Sequence, residues 1–125
     1  MLDQPNADEI LDVVTRWLRE QLSGQQPAPA AFQARVAANA LDLVRRQIAH
    51  GDRLERESHE RLRALLGHDG EADALVRELC ERSRARRLDA STPGLREHLM
   101  ASTLAKMSID QPTYASYRRA LDNKE

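Results

Sequence analysis

The chain has 125 residues, 41% hydrophobic, 31% charged and 3% aromatic, with a formal net charge of -1. That length fits one domain and leaves no room for two good cores. The hydrophobic fraction argues against disorder, and five Gly and five Pro exclude collagen-like and low-complexity classes.

The excess of Ala, Leu, Arg and Glu favours helices, and the elements follow in chain order. A first helix starts at Asn6, where Asn6 and Glu9 form a capping box. Ile10, Leu11, Val13, Val14, Trp17, Leu18 and Leu22 give it an apolar arc wider than a coiled-coil seam, and Ser23 and Gly24 are expected to end it. The prolines of GQQPAPAA make a short linker. A second helix is predicted from Pro29 to His50, with Gly51 as its stop and Phe32, Val36, Ala40, Leu43, Val44 and Ile48 as its core face. Beside that face, Arg35, Asn39, Asp42 and Arg46 form a polar stripe. Asn39 is expected to be partly buried there, with Arg35 one turn away.

A third helix is predicted over Asp52 to Leu66, with Leu54, Ser58, Leu62, Leu65 and Leu66 inward, followed by the turn GHDG. A fourth runs from Glu71 to Arg87, with Leu75, Val76, Leu79, Cys80 and Ser83 inward. The fifth is expected to be capped by Ser91 or Thr92, with Pro93 as its first residue. Ile109-Asp110-Gln111-Pro112 interrupts the pattern, and Thr113 to Leu121 suits a last short helix. With no period-2 alternation of any length, the expected fold is all-α: a compact bundle of five main helices and a short sixth, in one domain over 1–125 that frays at 1–5 and 122–125.

Few residues suggest chemistry. The 19 basic and 20 acidic residues nearly balance, whereas a duplex-DNA binder usually has a basic excess. His50, His59, His68 and His98 have no HxxxH spacing and read as solvated surface groups, so no metal site is expected. Cys80 reads as a buried structural thiol, and a lone cysteine suits a reducing compartment. The acidic, polar N-terminus is unlike a signal peptide, and no apolar run reaches membrane-helix length. A cytoplasmic protein is therefore expected. There is no nucleophile elbow and no glycine-rich phosphate loop. The pairs Asp8/Asp12 and Glu57/Glu60 read as solubilising charge.

Three surfaces stand out. Arg82, Arg84, Arg86 and Arg87 form the densest basic patch, suited to a phosphate of coenzyme A or RNA or to solvated arginines at a helix end. RNA is the weaker option, because no stacking aromatic lies near the patch. The Arg35/Asn39/Asp42/Arg46 stripe suits either interhelical packing or a partner. Trp17 on the wide first-helix arc, and the tail Asp110, Gln111, Pro112 and Tyr114, carry interface-type side chains.

The run Phe32-x-x-Arg35-Val36-Ala37-Ala38-Asn39-x-Leu41-x-x-Val44-x-Arg46 resembles the signature of small bacterial helical proteins encoded beside aminoglycoside-phosphotransferase-like kinases and acyl-CoA dehydrogenases. Pro5-x-x-x-Glu9-Ile10-Leu11 and Lys106-x-x-Ile109-Asp110-Gln111-Pro112-x-Tyr114 fit the same pattern, although the family more often has Asn at the position of Gln111. The family includes the small accessory subunit of the kinase that phosphorylates 4-hydroxyacyl-CoA in levulinate catabolism. The resemblance implies a non-catalytic subunit with no cofactor of its own, whose kinase partner supplies the ATP and Mg chemistry. It marks Arg35, Asn39, Arg46, Asp110 and Tyr114 as contact or organising residues. The alternatives are a stand-alone module binding CoA or RNA through the arginine patch, and a self-associating bundle.

Overall fold

The structure is a computed structural model that describes residues 5–25 and 27–123. The expected fraying of residues 1–4 and 124–125 falls outside the described residues. The fold is all-α, and no strand occurs among the described residues. The chain divides into two compact units, one reaching to Gly51 and the other starting at Asp52.

In the first unit, α1 (Ala7–Arg16) runs into a π-helical turn, Trp17–Leu22, and then into the short α2 (Ser23–Gln25). The capping box forms as expected: Asn6 Oδ1 accepts from the Glu9 amide at 3.0 Å, and the Glu9 carboxylate accepts from the Asn6 amide at 2.8 Å. The helical stretch continues past the expected stop at Ser23 and Gly24. Next comes α3 (Ala28–Leu66), 39 residues long, which contributes Ala28–Gly51 to the first unit.

The expected break at Gly51 does not occur. Gly51 lacks the positive φ of a helix-ending glycine, and no proline follows to block the next turn. Keeping the helical hydrogen bonds through one glycine costs less than ending two helices there. A Cβ at Gly51 meets only the Gln47 side chain, at an ordinary 3.7 Å. Gly51→Ala is therefore expected to stabilise the chain by about 0.5–1 kcal/mol, read as a raised urea midpoint. An unchanged or lowered midpoint contradicts a continuous helix.

The buried side of α3 in the first unit is built of alanine. Ala31, Ala34 and Ala38 are buried, with Ala38 at 0% exposure. They share a stripe with Asp42 and Arg45 at i, i+3, i+7, i+11 and i+14. The face predicted as core points the other way: Phe32, Val36, Ala40, Val44 and Ile48 are exposed. Small residues allow close helix approach, and the ion pairs described below lie on that same side.

The second unit packs more conventionally. Leu62 and Leu66 of α3, Leu75 and Leu79 of α4 (Ala72–Arg84) and Leu95 of α5 (Leu95–Asp110) form its core, with Leu65 and Leu88 packed against it. Gly67, at φ 82, ends α3 with its amide donating to Arg63 O at 2.9 Å, as the predicted turn requires.

Three boundaries differ from expectation. α4 ends at Arg84, because Arg86 takes the left-handed conformation (φ 57) of a Schellman closure: the Arg87 amide donates to Arg82 O and the Arg86 amide to Ser83 O. α5 starts at Leu95 with Gly94 as its N-cap, since Asp89 draws the preceding segment into a turn. The Asp89 carboxylate accepts from the Ser91 amide and hydroxyl, while the Asp89 amide donates to Thr92 Oγ1. Cys80 is exposed on α4, not buried. The last helix, α6, spans Ala115–Asp122.

Candidate functional site

The first unit joins its two helices through an ion-pair cluster. Asp8, Asp12, Thr15 and Arg19 follow one another at i, i+4, i+7 and i+11 along α1 and the π turn. Arg45 of α3 contacts Asp8 through Nε and Asp12 through Nη1, each at 3.0 Å, and lies 3.8 Å from Asp42. Arg19 donates to Asp42 at 2.6 Å and to Asn39 Oδ1 at 2.8 Å. Thr15 is buried with no partner for its hydroxyl. The Asp8/Asp12 pair is therefore structural, not simply solvated charge. The Arg16 hydrogen bond, followed by the charges of Arg16 and Arg45, holds the Asp12 carboxyl below its usual range. Arg45 is correspondingly held in its charged form, chiefly by Asp8.

This cluster divides the predicted polar stripe. Asn39 and Asp42 are tied to Arg19, which sequence spacing did not select because it sits in the π turn. Asn39 is exposed, not partly buried, and its partner is Arg19 in place of Arg35. Arg35 is exposed and Arg46 half-buried.

The same unit exposes large apolar side chains. On α1 and at the start of the π turn, Ile10, Val13, Val14 and Trp17 are exposed at i, i+3, i+4 and i+7, with Trp17 at 51%. On α3, Phe32, Val36, Val44 and Ile48 are exposed, Phe32 at 60%. Hydrophobic periodicity located both faces but could not say whether anything covers them. Both Trp17 and Phe32 lie on predicted apolar faces and are among the four aromatics large enough to anchor a partner. Exposed apolar side chains in such number make this unit a candidate for a partner interface.

The other candidates lie in the second unit. Asp110 ends α5, and Gln111 caps it with its amide donating to Met107 O at 2.9 Å. Pro112 is half-buried. Tyr114 is exposed at the start of α6, and its amide donates to Gln111 O. In the arginine patch, Arg82 pairs with Glu78, Arg84 closes α4, and Arg86 and Arg87 form the Schellman turn. Much of this patch is therefore engaged in finishing a helix.

The histidines divide into two kinds. His59 Nε2 donates to Gly70 O at 2.8 Å, and His68 bridges Asp69 O at 2.9 Å and Glu78 at 2.7 Å. The Asp69 carbonyl, then Glu78, push the His68 ring above its ordinary 6.5. His98 is buried, not solvated as predicted, and burial together with the Arg61 charge pushes it below 6.5. Among the described residues no group of three His, Cys, Asp or Glu is placed to hold a metal.

These shifts set a pH dependence. The raised His68 contributes stability that is full below pH 6.5 and lost as pH rises through its folded value. The lowered His98 contributes stability that is full above 6.5 and lost as pH falls below it. Their joint contribution is expected to peak near pH 6.5. In urea titrations from pH 5 to 8, His68→Gln is expected to flatten the alkaline limb and His98→Gln the acid limb. The reverse assignment contradicts this account.

The molecule is thus an all-α protein whose first unit combines an ion-pair cluster with exposed apolar side chains, and no helix among its described residues is long and apolar enough to cross a membrane. Residues 21–114 match the domain of unknown function DUF6285, and the chain belongs to that family. No curated protein and no solved structure matches the chain.

Proposed function

We propose that this chain is the non-catalytic accessory subunit of a two-component kinase that phosphorylates a hydroxyacyl-CoA, in the manner of 4-hydroxyacyl-CoA phosphorylation in short-chain acid catabolism. The supporting observation is the exposure of large apolar side chains in the first unit, among them Ile10, Val13, Trp17, Phe32, Val36 and Ile48. An accessory subunit acts through surfaces, and an apolar surface gains most when a partner removes it from water. The Phe32 to Arg46 motif supplies the partner class, an aminoglycoside-phosphotransferase-like kinase that brings ATP and Mg. Such a complex works in the cytoplasm, where ATP and acyl-CoA are available.

The test is co-expression with the neighbouring kinase gene product, followed by size exclusion and ATP turnover with 4-hydroxyacyl-CoA. Co-elution with raised turnover is the expected result. Separate elution with unchanged turnover overturns the proposal. The same apolar surface favours a second reading, self-association, for which light scattering of the chain alone would give a dimer mass.

A further inference from the structure

The second unit contains two polar side chains that its own packing leaves incomplete. His98, in the first turns of α5, is 6% exposed, and its Nδ1 is buried with no hydrogen-bond partner. Arg61 of α3 is half-buried, and its Nε is likewise buried with no acceptor. No carboxylate pairs with Arg61 among the described residues. Both side chains line a single cleft of about 310 Å³.

The rest of the cleft fits the same chemistry. Gly94 lines it and is the N-cap of the 16-residue α5, so no side chain caps the first-turn amides. That end of the helix carries partial positive charge. A guanidinium only donates hydrogen bonds, and its fork matches a carboxylate or phosphate. An imidazole adds another donor. The site therefore has donors and positive potential, and neither buried nitrogen has found an acceptor. Ala64, Leu65 and Pro93 supply apolar walls. Glu97 is the one opposing charge lining the cleft, and it limits how much negative charge the ligand can carry.

We propose that this cleft binds a small oxyanion, a carboxylate or phosphate group borne on a short apolar body, with Arg61 and His98 as its direct ligands. The site lies wholly within residues 52–125 and does not depend on the kinase-subunit reading. A water molecule satisfying the same atoms is the competing account, and titration separates the two.

The test follows the His98 ring proton by NMR in the full chain, with sodium butyrate in one arm and inorganic phosphate in the other. His98→Gln assigns the signal, and His68 serves as an internal reference. The expected result is a saturable His98 shift in at least one arm, with a dissociation constant of about 1 mM or tighter. The arm that saturates identifies the oxyanion. Glu97→Gln is expected to tighten binding several-fold by removing a like charge, and Arg61→Gln to abolish it. Absence of saturation in both arms, for the unaltered chain and for Glu97→Gln alike, overturns the proposal. A shift in Arg61→Gln equal to that of the unaltered chain also overturns it.

Discussion

Leu75→Ala is expected to lower the unfolding free energy by about 3–4 kcal/mol, read as a large fall in the urea midpoint. Leu75 is 1% exposed at the centre of five core leucines, so truncation both removes buried methyl groups and opens a cavity. The loop before α4 cannot readily collapse into that space. A Cβ placed on Gly70 would already lie 3.3 Å from Leu75 Cδ2, and Gly70 O is held by His59. A small domain has only about 5–15 kcal/mol of stability in total, so the variant is expected to be partly unfolded at moderate denaturant. A loss below about 1 kcal/mol contradicts the leucine core.

Phe32→Asp is the complementary case. Phe32 is 60% exposed, so the isolated chain is expected to change by no more than about 0.5 kcal/mol. If the proposed kinase subunit docks over Phe32, the new carboxylate would be buried there without a partner. Association is expected to weaken by about 100-fold, near 3 kcal/mol, measured by titration calorimetry. Trp17→Ala probes the other exposed aromatic of the first unit and is expected to cost at least about 2 kcal/mol of association if it anchors the partner. Unchanged affinity in both variants moves the docking surface elsewhere. A collapse in the melting temperature of the free chain restores Phe32 to a core.

The contrast between these substitutions shows what could be read from the amino acids. The capping box at Asn6, the turn at Gly67 and the Leu62/Leu66/Leu75/Leu79 packing were legible, because each depends on short spacing and one residue type. The covered side of α3 was not. Phe32, Val36 and Val44 recur at helical spacing, but such a period does not state what lies over the residues it marks. Ala31, Ala34 and Ala38 are too small to stand out in such a pattern, yet they are buried. Gly51 was misread because a helix-ending glycine is defined by its φ, which residue type alone does not reveal. His98 was missed for a similar reason. Its burial follows from where α5 begins, and the Asp89–Thr92 turn moves that start two residues past Pro93. Of the polar stripe, the pairing of Asn39 and Asp42 with Arg19 required the π turn, which the spacing of α1 does not announce.

The alanine stripe has a consequence for ionic strength. The buried residues of α3 in the first unit are alanines, so the ion pairs of Asp8, Asp12, Arg19, Asp42 and Arg45 contribute to the attachment of α1 beside the half-buried Leu11, Leu18 and Leu41. The range of such attractions shrinks from about 8 Å at physiological salt to about 3 Å at 1 M. Burial of the leucines in the second unit is strengthened by salts excluded from protein surfaces, such as sulfate. Raising such a salt therefore loosens one part of the chain while tightening the other, so a single ionic condition does not suit both.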